Sequence, residues 1–364
     1  MHGKTRQSGW MLTVLLLAAQ SAPLPAQTAE LEPDSPAAGA AAVSLVDPLE
    51  NPPVAPERPE PTAAERGTDG FTGSMRGGPP GYSVTGLPEQ NVRGQAATLS
   101  AFGQLLNVGC PIWTAGPDKL ILRAAVGSMW YDSAAVFPSG TPFPDEVWNV
   151  SLGAMHLHRF DNGWSSGLMV NGGSASDRPF AALNVLDASV LAFVRIPHGP
   201  QNAWTFSLFY STTSELPFPM PGLAYLWRPS EQFQASIGIP FQFSWRPWTD
   251  VCIEGSYMPV TRVRLQASWR PGDGPLALLA RFDWDNQGYF LADRTADQDR
   301  FFSYAMTLAG GVRYDVFRHG ALQLNAGYAF DRFYFIGRDF DDRRQDRIDV
   351  EPGAFLSAAF QLRF

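Results

Sequence analysis

The chain has 364 residues, 45% of them hydrophobic, 13% aromatic and only 17% charged, with 34 glycines and 31 prolines. Sparse charge with many aromatics and glycines argues against a helical bundle and for a β-rich chain with many turns. A formal net charge of −8, with the 27 basic residues scattered, gives no basis for a nucleic-acid-binding face, which needs clustered Lys and Arg.

In chain order, residues 1–26 read as a signal peptide. Lys4 and Arg6 form a basic n-region, Trp10 to Ala19 an apolar h-region, and small residues lead to a cut after Ala26. A membrane-spanning helix needs about 20 apolar residues. The h-region is shorter, and no later stretch is long and apolar enough, so any membrane span must be built from strands. No Cys adjoins the cut, which argues against a lipid anchor. Residues 27–90, rich in Pro, Ala, Gly and Glu, have too little apolar periodicity to repay ordering and read as a disordered periplasmic leader. Cys110 and Cys252 are the two cysteines; an oxidising compartment permits a disulfide, but their distance in sequence favours two unrelated thiols.

Residues 91–364 read as one all-β domain, an antiparallel transmembrane β-barrel. From about residue 95, apolar and polar residues alternate with period two. Val263, Leu265, Ala267 and Trp269 alternate with Arg262, Arg264, Gln266, Ser268 and Arg270. Leu276, Leu278, Ala280, Phe282 and Trp284 oppose Arg281, Asp283 and Asp285; Leu308, Val312 and Tyr314 oppose Thr307, Arg313 and Asp315; Leu322, Leu324 and Tyr328 oppose Gln323, Asn325 and Asp331. Successive side chains of a strand point to opposite faces, so each segment has one apolar and one polar face. The segments exceed the ~5–6 residues of soluble sheets and match the ~9–11 of a tilted membrane strand. Trp204, Trp269, Trp284 and Tyr334, near segment ends on the apolar face, are placed as an interfacial girdle.

Candidate strands lie at 95–107, 118–132, 147–160, 164–175, 183–197, 202–213, 221–229, 231–246, 249–258, 260–270, 275–285, 300–317, 321–335 and 351–364. Alternation runs unbroken from Val251 to Leu265, so two of these can be one strand, and the expectation is 12–14 strands. Asp161-Asn162-Gly163, Gly272-Asp273-Gly274 and Arg318-His319-Gly320 mark tight turns, and 286–299 and 336–350 long outer loops. A count of fourteen leaves one conflict: the N-terminal half comes out reversed, with the tight turn at 161–163 outside and the longer link 133–146 inside. The last segment ends on Phe360, Leu362 and Phe364, a pattern that resembles the terminal signal read by the outer-membrane barrel assembly machinery. That machinery and outer-membrane lipids are the expected partners, with the cell outer membrane as location.

From about residue 145 the chain resembles an uncharacterised family of bacterial outer-membrane β-barrels, a domain of unknown function. The matching pieces are Arg159-Phe160-Asp161-Asn162-Gly163-Trp164, Pro219-Met220-Pro221-Gly222-Leu223-Ala224-Tyr225 and Gly238-Ile239-Pro240-Phe241. They continue with Arg281-Phe282-Asp283-Trp284 and Ala326-Gly327-Tyr328 with Asp331-Arg332. The resemblance implies fold and location and supplies no activity.

No metal motif, phosphate loop or nucleophile elbow occurs in a usable context, and no cofactor or catalytic residue is expected. The expected lumen-lining set is Glu254, Arg262, Arg264, Arg281, Asp283, Asp285, Arg313, Asp315 and Asp331. Such a mixed-sign interior lines a narrow channel or solute-binding lumen, or else forms the ion-paired core of a closed structural or adhesive barrel. His158 beside Ser166 on the lipid face suggests a remote hydrolase reading, weakened by the lack of an orienting residue on that face. Metal binding by His156 and His158 is weakened likewise, because no carboxylate joins them on that face. The loop Arg338-Asp339-Phe340-Asp341-Asp342-Arg343-Arg344 offers Ca²⁺ or lipopolysaccharide binding, against the plainer reading of a solvated loop.

Overall fold

A computed structural model describes residues 80–212, 218–272 and 274–362; the expected signal peptide, the leader before residue 80 and Phe364 lie outside them. The strands of the first half are β1 (Gly81–Asn91), β2 (Thr98–Ala115), β3 (Asp118–Ser133), β4 (Glu146–Arg159), β5 (Ser165–Ser176), β6 (Leu186–His198), β7 (Asn202–Ser211) and β8 (Met220–Ser230). Those of the second are β9 (Phe233–Gly238), β10 (Phe241–Trp248), β11 (Val251–Met258), β12 (Arg262–Trp269), β13 (Leu276–Tyr289), β14 (Arg300–Phe317), β15 (Gly320–Gly337), β16 (Asp346–Val350) and β17 (Gly353–Leu362). Each strand from β1 to β15 pairs antiparallel with the next, and β1 pairs with β17, so the sheet closes on itself. β16 and β17 both pair with β15 and are one strand interrupted at Glu351–Pro352; the 17 segments therefore make 16 barrel strands. Closure leaves no sheet edge, as a lipid environment requires.

Sixteen strands correct the expected 12–14, and two local features account for the difference. β1 lies inside the segment read as leader, where Gly81, Gly86 and Pro88 obscure its alternation. It is tied on both sides, to β17 and β2, with Pro88 at a register shift where no ladder donor is needed. The second feature is the segment 231–246, which is the hairpin β9–β10 with its turn at Ile239–Pro240. Its register partners, such as Ser236 and Gln242, differ by an even number, so the period-two phase passes through the turn unchanged. β11 and β12 are likewise a hairpin, with Met258 opposite Arg262, and not one long strand.

The two added strands also remove the topological conflict. Turns at 116–117, 160–164, 199–201, 231–232, 249–250 and 318–319 gather at one end of the barrel. The links 134–145, 177–185, 290–299 and 338–345 gather at the other. Every strand begins at one of these ends and finishes at the other, with the expected polarity throughout.

Alternation sets the two faces. Leu152 (66% exposed), Leu308 (58%) and Leu356 (63%) lie on the outer surface, while their sequence neighbours turn inward. Phe102, Trp130 and Trp148 form a girdle near the long-loop end. Trp204, Tyr225, Trp245, Trp269 and Phe360 lie outward near the short-turn end. Two aromatic girdles flanking an apolar belt are the signature of a transmembrane barrel. One bulge in β15 interrupts the alternation: Tyr304 pairs with Phe333 but Met306 with Phe330, and Asp331 takes φ 48°. Beyond it the phase is inverted. Tyr334, expected in the girdle, is therefore buried inside, and Asp331, expected in the lumen, is exposed at the bulge.

Strand lengths differ around the ring. β2, β14 and β15 have 18 residues each, against 6 in β9 and 8 in each of β10, β11 and β12. At ~3.3 Å per residue and a tilt of about 40°, the tall wall rises about 45 Å and the low wall about 20 Å, against an apolar band of about 25 Å.

Candidate functional site

The polar interior is built on β11, β12 and β13, where register sets each pair. Arg262 lies opposite Asp285, Arg264 opposite Asp283 and Gln266 opposite Arg281. Arg262 grips Asp285 with two hydrogen bonds of 3.1 Å, a fork-to-fork geometry that suits guanidinium and carboxylate. Arg264 donates to Asp283 at 2.8 Å, and Arg281 reaches the same carboxylate at 2.9 Å. Nearer the short-turn end, Asp315 accepts from Arg270 at 2.8 Å and lies 3.4 Å from Arg313. Glu254, opposite Gln266, is exposed. Eight of the nine expected lumen residues thus share the interior face, and Asp331 does not. These charges are partly exposed: the side chains of Arg262, Arg264 and Arg281 are 33%, 38% and 28% exposed. The ring around them carries small residues, among them Gly153, Gly173, Ser207, Ser244, Gly311 and Ser357. Across the lumen, Met155, Met169, Leu191 and Phe193 on β4, β5 and β6 form a compact apolar patch.

The long-loop end carries a second constellation that sequence reasoning missed. The link 134–145 folds inward as a short excursion, with Phe137 N–H donating to Thr141 O at 2.8 Å and Tyr131 N–H to Asp145 O at 2.7 Å. It delivers Phe137 and Phe143, 2% and 5% exposed, into a cage of Leu99, Tyr131, Phe301 and Tyr334. Phe143 packs edge-on to Tyr334 at 5.0 Å and to Phe301 at 5.5 Å between ring centroids. Two phenylalanines in a link between strands were the available signal.

A cross-barrel bridge closes this half of the mouth. β5 and β13 stand eight places apart in the sixteen-membered ring, yet Phe290 N–H donates to Ala175 O at 2.8 Å and Ser176 bridges Phe290. Arg178 pairs with Asp293 at 2.9 Å, Asn184 donates to Asp297 at 2.9 Å, and Arg294 to Asn184 O at 2.8 Å.

On the lipid face at the short-turn end, Asp118, His158 and Ser166 stand in one register row across β3, β4 and β5. Asp118 Oδ1 lies 2.7 Å from His158 Nδ1 and 2.9 Å from His156 Nε2. This carboxylate corrects two expectations, that no orienting group shares the face and that no carboxylate joins the two histidines there. Among the described residues, however, no hydrogen bond joins His158 to Ser166, so base and nucleophile are not coupled. No group of His, Cys, Asp and Glu able to hold a metal ion occurs among them either. Cys110 and Cys252 are free thiols. Phe360 and Leu362 occupy β17, with Leu362 N–H donating to Pro80 O at 2.7 Å. The loop after β15 is held by its own contacts, with Arg338 N–H donating to Asp342 at 2.9 Å and Arg343 lying over Phe340.

A family model described as a domain of unknown function, DUF6268, matches residues 138–360, well over half of the chain. No curated protein matches. Among solved structures, the beta domain of the Bordetella autotransporter Brka is 12% identical, covering 78% of this chain and 99% of that one, with a TM-score of 0.30. An outer membrane channel from Pseudomonas putida F1 is 10% identical, with 78% and 96% covered and a TM-score of 0.30. Pseudomonas aeruginosa OccK7 (OpdD) is 10% identical, with 79% and 99% covered and a TM-score of 0.33.

Proposed function

Starting from a chain that belongs to the DUF6268 family, we propose that its barrel is a narrow water-filled passage or binding lumen for small polar solutes. The observation that supports this reading is the partial exposure of the interior charges. Arg262, Arg264 and Arg281 are about one-third exposed although they face the inside of a closed sheet. An ion-paired core that filled the barrel would bury them, because a dry interior needs every charge paired and desolvated. Sixteen strands leave room for an aqueous path, whereas about eight are filled by side chains.

In this reading the barrel sits in the cell outer membrane with the short-turn end towards the periplasm. The leader hangs there, and Phe360, Leu362 and Phe364 present the assembly signal. The aromatic plug and the β5–β13 bridge favour a second reading, a closed structural or adhesive barrel. Single-channel recording of the purified barrel in planar bilayers with KCl separates the two. A steady conductance is expected; a silent bilayer with correctly folded protein overturns the passage.

A further inference from the structure

The low wall ends in turns unlike those of the tall wall. The longer loops carry Arg178, Asp293, Asp297, Arg338, Asp341 and Arg343 beside the exposed Phe180 and Leu183. The low-wall turns are Ile239–Pro240 and Pro259-Val260-Thr261, without a charge. Ile239 is 54% and Ile237 50% exposed, so this rim is apolar and uncovered.

Val260 is the sharper observation. It adopts φ 61°, a left-handed conformation that strains a β-branched side chain and that Gly or Asn takes readily. The turn carries a partly exposed apolar residue despite this strain. The backbone of these turns is also bonded within the protein. Asn286 donates its side-chain amide to Val260 O at 3.0 Å and its N–H to Thr261 O at 2.9 Å, and Ile239 N–H donates to Leu223 O at 3.2 Å. Internal satisfaction of backbone groups is what lipid contact demands.

Register fixes the height of this rim. Asn286, which holds the turn, pairs with Tyr304 on β14, one step from the Trp284–Met306 pair. Trp284 and Tyr304, 6.1 Å apart, belong to a buried aromatic cluster of the tall wall. The low rim thus ends beside this cluster, while β14 and β15 continue beyond it.

We propose that the low rim is seated in the outer-leaflet lipid and opens the lumen sideways to it. The barrel then takes its solutes from the leaflet: small amphipathic molecules that partition into lipid. This rests on the passage reading and extends its solutes from polar to amphipathic ones. The test uses nitroxide labels on single cysteines replacing Ile239, Val260 or Asp341, in a Cys110→Ala/Cys252→Ala barrel in phospholipid vesicles. Labels at 239 and 260 are expected to collide with oxygen and be shielded from a water-soluble nickel chelate, while the label at 341 meets nickel freely. Nickel access at 239 and 260 equal to that at 341 overturns the proposal.

In the same vesicles, Ile239→Glu and Val260→Asn should slow entry of octanoate at least five-fold while KCl conductance is kept. Asn suits the backbone at position 260, so that variant folds even if Ile239→Glu does not. Unchanged octanoate entry in a folded variant overturns lateral access. A wild-type barrel that conducts KCl but whose rim meets nickel loses this inference alone, and one that never conducts loses the passage reading.

Discussion

The half of the mouth bounded by β13, β1 and β5 is packed like a protein core, whereas the half bounded by β6 to β12 has no comparable cluster among its described residues. In the first, Phe137, Phe301 and Leu99 are at most 2% exposed, and strands of up to 18 residues carry this core above the membrane. In the second, the strands β9 to β12 have only 6 to 8 residues, and the interior keeps partly exposed, paired charges. One sheet therefore does two jobs. Height lets one side fold a link inward and bury it, and the short strands of the other side carry no such link among the described residues.

The largest expected effect breaks the packed half. Phe301→Ala removes a fully buried ring from the plug and should cost about 3–5 kcal/mol, read from denaturant unfolding in vesicles. A loss below about 1 kcal/mol would show that the plug is a loosely held loop.

A smaller effect tests the faces of the tall wall. Leu308→Arg, on the lipid side of β14, should cost about 2–4 kcal/mol and impair assembly. Thr307→Arg, one residue away and facing inward opposite Asp283, should assemble normally. Equal damage at both positions would refute the face assignment.

The charged wall should respond in selectivity more than in stability. Partly exposed ion pairs contribute about 0.2–1 kcal/mol each, so Arg262→Ala/Arg264→Ala/Arg281→Ala should lower stability by only about 1–2 kcal/mol. Asp283, Asp285 and Glu254 then dominate the field, and reversal potentials should move towards cation selectivity with conductance still measurable. A silent bilayer together with a large stability loss would instead indicate a closed, ion-paired barrel.

The smallest effect concerns the bridge. Arg178 and Asp293 are 60% and 78% exposed, so Asp293→Ala should change stability by less than about 1 kcal/mol. The backbone bonds between Phe290 and Ala175 hold the loops regardless. A larger shift in the unfolding midpoint would make that ion pair the clasp of the mouth.

Much of this was legible beforehand because period-two alternation is a local property, written residue by residue along each strand. Leu308 against Thr307, Leu324 against Asn325 and Arg264 against Leu265 could be sorted without coordinates. The same regularity concealed the β9–β10 hairpin, since a turn between partners an even number apart leaves the phase intact. It failed at Asp331, where one extra residue in β15 inverts everything after it.

The sequence by itself determined that the chain is an antiparallel membrane barrel and which residues of most strands meet lipid, since alternation needs only nearest neighbours along the chain. Only the tertiary structure decided that there are sixteen strands, that β1 closes the ring, that Asp118 reaches His158, and that Phe143 meets Phe301 and Tyr334. Those facts join residues far apart in sequence, and what selects them is closure of the sheet and the packing of a link against distant strands, neither of which leaves a local period to read.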